Sequence, residues 1–248
     1  MDKNEHSIFA YVMDQLDENG IYQGGALIDD PTPSLPRPLG SDDAYIYTAE
    51  MPPDLPGAEA VCSMLLAYAD EPSATAKAVL EEALIKILCV SVCDPLVELL
   101  SEDEVPEPLL ALAEDWLYTA HKRELVKYAI VILAVFGLEK LRKEHSENLW
   151  DDLVDLCRCE EFTFFLTFAY RINNIAPQDE LWELVRSTRG WGRIFTLYDL
   201  ECTTEEEEIW LLRHGCEIEI DYAPICLVVM RKGCLLYTSP SPRDRSLS

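Results

Sequence analysis

Basic residues are scarce in this chain: 20 Lys and Arg stand against 46 Asp and Glu, a formal charge of −26 with a pI near 4.3. That balance argues against nucleic-acid binding, which draws its affinity from neutralising phosphates with cationic side chains. Long apolar runs are missing as well. The main unbroken one, Ala129 to Phe136, falls far short of the roughly 20 residues a membrane-crossing helix needs, so no membrane partner is expected. The opening residues, Met1-Asp2-Lys3-Asn4-Glu5, lack the basic and then apolar stretches of a secretory signal, which predicts a cytoplasmic location. Gly24-Gly25 and Gly190-Trp191-Gly192 have neither the spacing nor the lysine of a phosphate-binding loop, and no serine or cysteine sits in a nucleophile elbow. The four histidines, His6, His121, His145 and His214, fall at helix ends or in polar turns with no evident partner. Carboxylate pairs such as Asp151 and Asp155 are too common here to mark a site and read as a solvated face. These absences leave no catalytic residue, no cofactor and no metal to assign.

Cysteine gives little more. Cys157-Arg158-Cys159 is the nearest approach to a metal motif, and Cys202, Cys216 and His214 are what would have to complete it. Paired zinc ligands usually stand two to four residues apart, so these cysteines read as small apolar residues. Cys89 and Cys93 share one helix face and have Cys62 as a possible partner, but in a cytoplasmic helical protein buried thiols are the expectation. The segment Cys234 to Asp244, CLLYTSPSPRD, resembles the translation of a transposon-derived sequencing adapter. Residues 234–248 are accordingly set aside as a non-native tail. Removing Arg243, Arg245 and Asp244 takes the basic residues from 20 to 18 and the acidic ones from 46 to 45, and the charge becomes −27.

What is present is helical patterning. A hydrophobic content of 49% over 248 residues is enough for a sizeable core. Leu109, Leu110, Leu112, Ala113, Trp116, Leu117 and Ala120 step by three and four along one helix. Past His121 and Lys122, a second stripe at Leu125, Val126, Ala129, Ile130, Leu133 and Phe136 stops at Gly137, expected to take a left-handed cap. Val131, Ile132, Ala134 and Val135 fill the rest of that second helix, so it must be buried on several sides. Further helices are predicted over 7–17, 58–69, 73–92, 148–158, 161–172, 178–187, 192–200 and 204–214, with a last one opening near Tyr222. Pro95 should interrupt the far end of the 73–92 helix. Thr204 with Glu207 forms a capping-box pattern. Prolines crowd 24–56, among them Pro31, Pro33, Pro36 and Pro38. That stretch is read as an extended arm with a short strand at 44–47.

The pattern Val126, Lys127, Ala129, Leu133, Gly137 resembles the second helix of a HEAT repeat. The step of about 38 residues from Arg123 to the aromatic helix at Glu161 suits such pairs. The segment from Gly190 to Gly215, with GWGRI, the acidic cap and Trp210-Leu211-Leu212, is similar to a group of bacterial HEAT-like proteins, which implies a fold and no activity. The expected fold is therefore all-α, a right-handed α-solenoid of HEAT-like helix pairs over 57–233 preceded by a proline-rich irregular N-terminal arm over 1–56.

Two clusters are candidates for interaction. Arg189, Trp191 and Arg193 surround two glycines whose backbone entropy cost implies a positive φ or a close approach, and Trp and Arg are common binding anchors. The alternative is a tight turn with Trp191 plugging a gap between helix pairs. Lys122, Arg123, Lys127, Lys140, Arg142 and Lys143 gather six cations in 22 positions, either paired with neighbouring acidic helices or forming a local anion site. The expected function is a non-enzymatic scaffold that binds a protein partner, a basic one given the charge. An acidic inhibitor that mimics nucleic acid or neutralises a basic toxin is the alternative. HEAT-like folds also include alkylpurine DNA glycosylases, but the basic groove of that family has no counterpart here.

Overall fold

The computed structural model describes residues 6–30, 37–102, 104–144 and 147–233. The tail set aside above and His145 lie outside them. Among the described residues the chain is all-α, with fourteen helices and no strand. In order these are α1 (Ile8–Asp14), α2 (Ser41–Thr48), α3 (Leu55–Asp70), α4 (Ala74–Leu84), α5 (Cys89–Leu100), α6 (Glu107–Thr119) and α7 (Arg123–Phe136), then α8 (Leu138–Glu144), α9 (Glu147–Leu156), α10 (Glu160–Ile172), α11 (Gln178–Ser187), α12 (Trp191–Asp199), α13 (Glu205–His214) and α14 (Ile225–Lys232). None is long and apolar enough to cross a membrane.

The core runs along one row of helices. α7 packs against α6 on one side and against α5 and α10 on others, while α10 passes the contact on to α12. This explains the composition of α7 and α10. From Glu124 to Ala134 and from Glu161 to Tyr170 every residue is buried, because each helix has neighbours on all sides. Each large apolar side chain so placed contributes roughly 1.5–3 kcal/mol. α1 covers the flank of the row: the Ile8 N–H donates to Ala120 O at 2.9 Å, and Phe9 meets Tyr118 edge-on at 5.0 Å.

Four sequence expectations need correction. Residues 44–47 are helical, not a strand. α2 fits between Pro38 and Pro52, and Asp42 and Asp43 in its first turn suit a helix start. The helix expected over 73–92 is two, broken at 85–88. Pro95 then lies inside α5 rather than closing the preceding helix. A proline cannot donate to the carbonyl four residues back, and here that carbonyl, Ser91 O, accepts instead from the Asp54 N–H at 2.9 Å. Helix α8 was not anticipated, because Gly137 does not end the chain's helical course. It takes φ 108° and ψ 120°, a positive φ that glycine tolerates but outside the left-handed helical region, and leads straight into α8.

Helix starts are completed in more than one way. α1, α3, α4 and α13, toward the outside, carry their own caps at Ser7, Asp54, Ser73 and Thr204, the last with the full capping box to Glu207. α2, α5, α7 and α12 have no side-chain cap of their own. Carboxylates from distant segments take that place: Glu161 accepts from Gly40 N at 2.8 Å, Glu124 from Cys89 N at 2.7 Å, Asp29 from Arg123 N at 3.0 Å, and Glu160 from Arg189 N and Gly190 N, each at 2.5 Å.

Candidate functional site

The starts of α7, α10 and α12 come together at a cleft of about 700 Å3. One wall is the N-terminal segment, residues 21–26, Asp30 and 37–42. Arg123, Arg158, Glu160, Glu161, Arg189 and Gly190 also line the cleft, as do Glu219 and Ile220. Four arginines face a space bounded by a chain of net charge −26, and each is held by acid. Arg37 pairs with Asp42 at 2.8 Å, Arg158 with Asp155 at 2.8 Å and Glu183 at 3.3 Å, and Arg189 with Glu219 at 3.5 Å. Arg123 binds Asp29 at 2.9 Å, Glu161 at 3.3 Å and also Asp30.

Behind this wall lies a buried ionic cluster. Lys127 has a side chain only 2% exposed, and its Nζ stands 2.8 Å from Asp43, 2.8 Å from Glu161 and 3.0 Å from Glu124. Burial works to lower the Lys127 pKa, but Glu161, Asp43 and Glu124 outweigh it and hold the ammonium well above the usual lysine range. Glu161 is held below the usual carboxylate range because Lys127 and Arg123 together overcome the effect of burial. Asp43 goes the other way. Burial pushes it up to about 7 against the pull of Lys127, and neither of its oxygens has a well-aligned hydrogen-bond donor.

A pH dependence follows. Between the unfolded value near 4 and about 7, the folded chain holds a proton on Asp43 that the unfolded chain has released, so stability should fall as pH rises through that window. The slope is at most about 1.4 kcal/mol per pH unit. Urea unfolding of the natural chain and of Asp43→Asn from pH 4.5 to 8 isolates this contribution, since asparagine cannot titrate. Parallel curves for the two proteins would contradict it.

The sequence-selected residues fall in different places. Arg123 and Arg189 line the cleft, Lys122 is exposed beside α7, and Lys127 is interior. The remaining cations of that cluster diverge: Lys140 lies 3.7 Å from Glu104, Arg142 pairs with Glu180 and stacks over Trp150 at 4.1 Å, and Lys143 meets Glu139 at 3.3 Å. Arg193 is buried. Its Nη1 donates to Glu217 O at 2.8 Å and His214 O at 3.2 Å, which ties the turn after α13 to α12. Trp191 is half-buried, with its ring 5.2 Å from Tyr222 and 6.2 Å from Phe195.

The two glycines are explained by close approach. Gly190 has φ −113°, and a Cβ there would stand 2.1 Å from Glu160 Oε2. At Gly192 it would stand 2.7 Å from Thr163 Oγ1. Glu160 itself is raised by burial, against the two backbone N–H groups that favour its charge. Among the described residues no group of three or more His, Cys, Asp or Glu stands together as metal ligands.

Asp29, Asp43 and Glu124 escaped the sequence reading, and Glu160 and Glu161 entered it only beside Cys157-Arg158-Cys159. Their one signal was a charge placed on an otherwise apolar helix face, as Glu124, Lys127 and Glu161 are. No family model, no curated protein and no solved structure matches this chain.

Proposed function

We propose that this chain is a non-enzymatic, cytoplasmic α-solenoid of HEAT-like pairs that binds a basic protein partner. The repeat assignment is supported by side-chain contacts that recur at one sequence separation: 35 for Trp116 to Glu81, 34 for Tyr118 to Asp152, 35 for Glu124 to Cys89, 35 for Asn173 to Leu138 and 38 for Arg142 to Glu180. Stacked helix pairs generate a recurrence of this kind, at separations of 34–38 residues.

The observation that carries the choice of partner is how the few cations are used. Lys127, Arg123, Arg158 and Arg193 are already partnered by carboxylates or carbonyls, while carboxylates such as Glu201, Glu205, Glu206 and Asp221 are left exposed. With those cations already partnered, the exposed acids carry the chain's net charge of −26 outward, which favours encounter with a cationic surface. Arg189, exposed beside the cleft, and half-buried Trp191 supply the anchor chemistry.

Affinity capture on the full chain is expected to retain a basic protein at low salt and to release it at about 1 M, where screening acts within about 3 Å. Glu205→Lys with Glu206→Lys should weaken retention. Retention of acidic proteins, or binding indifferent to salt, would reject the assignment.

A further inference from the structure

Of the eight cysteines among the described residues, Cys62, Cys89, Cys93, Cys157 and Cys159 are buried, Cys202 is partly covered, and Cys216 and Cys226 are exposed. The exposed two are also neighbours. Cys216 ends the turn after α13 and Cys226 lies in the first turn of α14, where the neighbouring Cys226 thiol helps to raise that of Cys216. The helix packing fixes this approach: Val229, one turn beyond Cys226 on α14, touches Gly215, where a Cβ would lie 2.7 Å from Val229 Cγ2.

Nine residues separate the two thiols, and this short loop meets each of the candidate anchor residues. The Glu219 N–H donates to Arg189 O at 2.9 Å, Glu217 O accepts from Arg193 at 2.8 Å, and the Tyr222 ring lies 5.2 Å from Trp191. Glu219 and Ile220 line the cleft.

We propose that Cys216 and Cys226 are a redox-sensitive pair that closes to an intramolecular disulfide and locks the 217–225 loop against Arg189, Trp191 and Arg193. The oxidant is a low-molecular-weight disulfide of the glutathione type. The thiolate of one cysteine attacks a sulfur of that disulfide, forming a mixed disulfide and expelling one glutathione thiolate. The second cysteine's thiolate then attacks the protein sulfur of the mixed disulfide and expels the other. Two protein thiols are oxidised, one small disulfide is reduced to two thiols, and the two protons pass to the departing glutathione sulfurs. Partial burial and the neighbouring Cys226 thiol push the Cys216 thiol up to about 11, so it holds its proton at neutral pH and closure should quicken as pH rises.

The test uses the full chain, reduced, freed of reductant and incubated with glutathione disulfide under anaerobic conditions. After alkylation, peptide mass mapping should find a Cys216–Cys226 link as the main product, with the five buried cysteines still free. Amide exchange over 217–225 should slow by about tenfold or more on oxidation and recover with dithiothreitol. Cys216→Ser and Cys226→Ser, both at exposed positions, should each stop at a glutathione adduct on the remaining cysteine without slowing exchange. Separate glutathione adducts on both cysteines of the natural chain, or pairing of either with Cys202 or Cys234, would overturn the proposal. Unchanged exchange in the linked protein would overturn the locking.

Discussion

Lys127→Met is expected to cost about 3–5 kcal/mol of unfolding free energy at pH 7. Methionine keeps most of the length and apolar volume of the lysine stem, so the packing around Phe165 changes little. What disappears is the one cation within 3.0 Å of Asp43, Glu124 and Glu161 together. Taking three carboxylates out of water is tolerable only while that charge faces them, and removing it leaves them repelling one another in a poorly screened interior. Arg123 relieves Glu161 at 3.3 Å but touches neither Asp43 nor Glu124. Without Lys127 these carboxylates take up protons at higher pH than in the natural chain, so the cost should shrink as pH falls from 8 to 5. Urea denaturation at pH 5 and pH 8 measures both parts. A loss under about 1 kcal/mol at pH 8 would mean that water reaches the cluster.

Ala129→Asp is the second large effect, and it should abolish the folded state. Ala129 is fully buried in the middle of α7, where α5, α6 and α10 all press on the helix. An aspartate there would need a cation, and Lys127, two residues away, points to a different face and is already committed to three acids. Burying the carboxylate unpaired costs several kcal/mol, a large part of the total stability of a domain this size. Ala111→Asp, on the exposed face of α6, provides the comparison and should shift stability by no more than about 0.5 kcal/mol. Far-ultraviolet circular dichroism with thermal melting distinguishes the two. A natural melting curve for Ala129→Asp would remove α7 from the centre of the fold.

The row of buried helices was legible because its signal is periodic. The stripes of α6 and α7, the aromatic run of α10 and the capping box of α13 each identify a helix from neighbours a few residues apart. Helix α2 was hidden by the prolines around it and by weak amphipathicity, and what holds it in place lies 84 and 121 positions away, at Lys127 and Glu161. Pro95 misled for a similar reason. Its missing donor is replaced by Asp54 N–H, which no local pattern reveals. For the site, sequence spacing grouped Lys122, Arg123 and Lys127 as one basic patch. The helical turn instead sends Lys127 inward and leaves Arg123 at the cleft. Charge counts locate cations along the chain, but their partners are set by packing.

The borrowed helix caps bear on how far this chain can be cut into autonomous parts. In a typical repeat array the pieces exchange mainly apolar area, and an excised pair keeps its helices while losing some stability. Here the first N–H of α5 waits for Glu124, that of α7 for Asp29, and the turn before α12 for Glu160. A fragment ending before α7 would carry α5 with its start unsatisfied, and each missing cap would cost about 1 kcal/mol beyond the lost core. Recombining segments, or inserting a foreign pair, would therefore have to preserve carboxylates outside the segment being moved. The helices follow one another closely along the chain, but the groups that complete their starts do not.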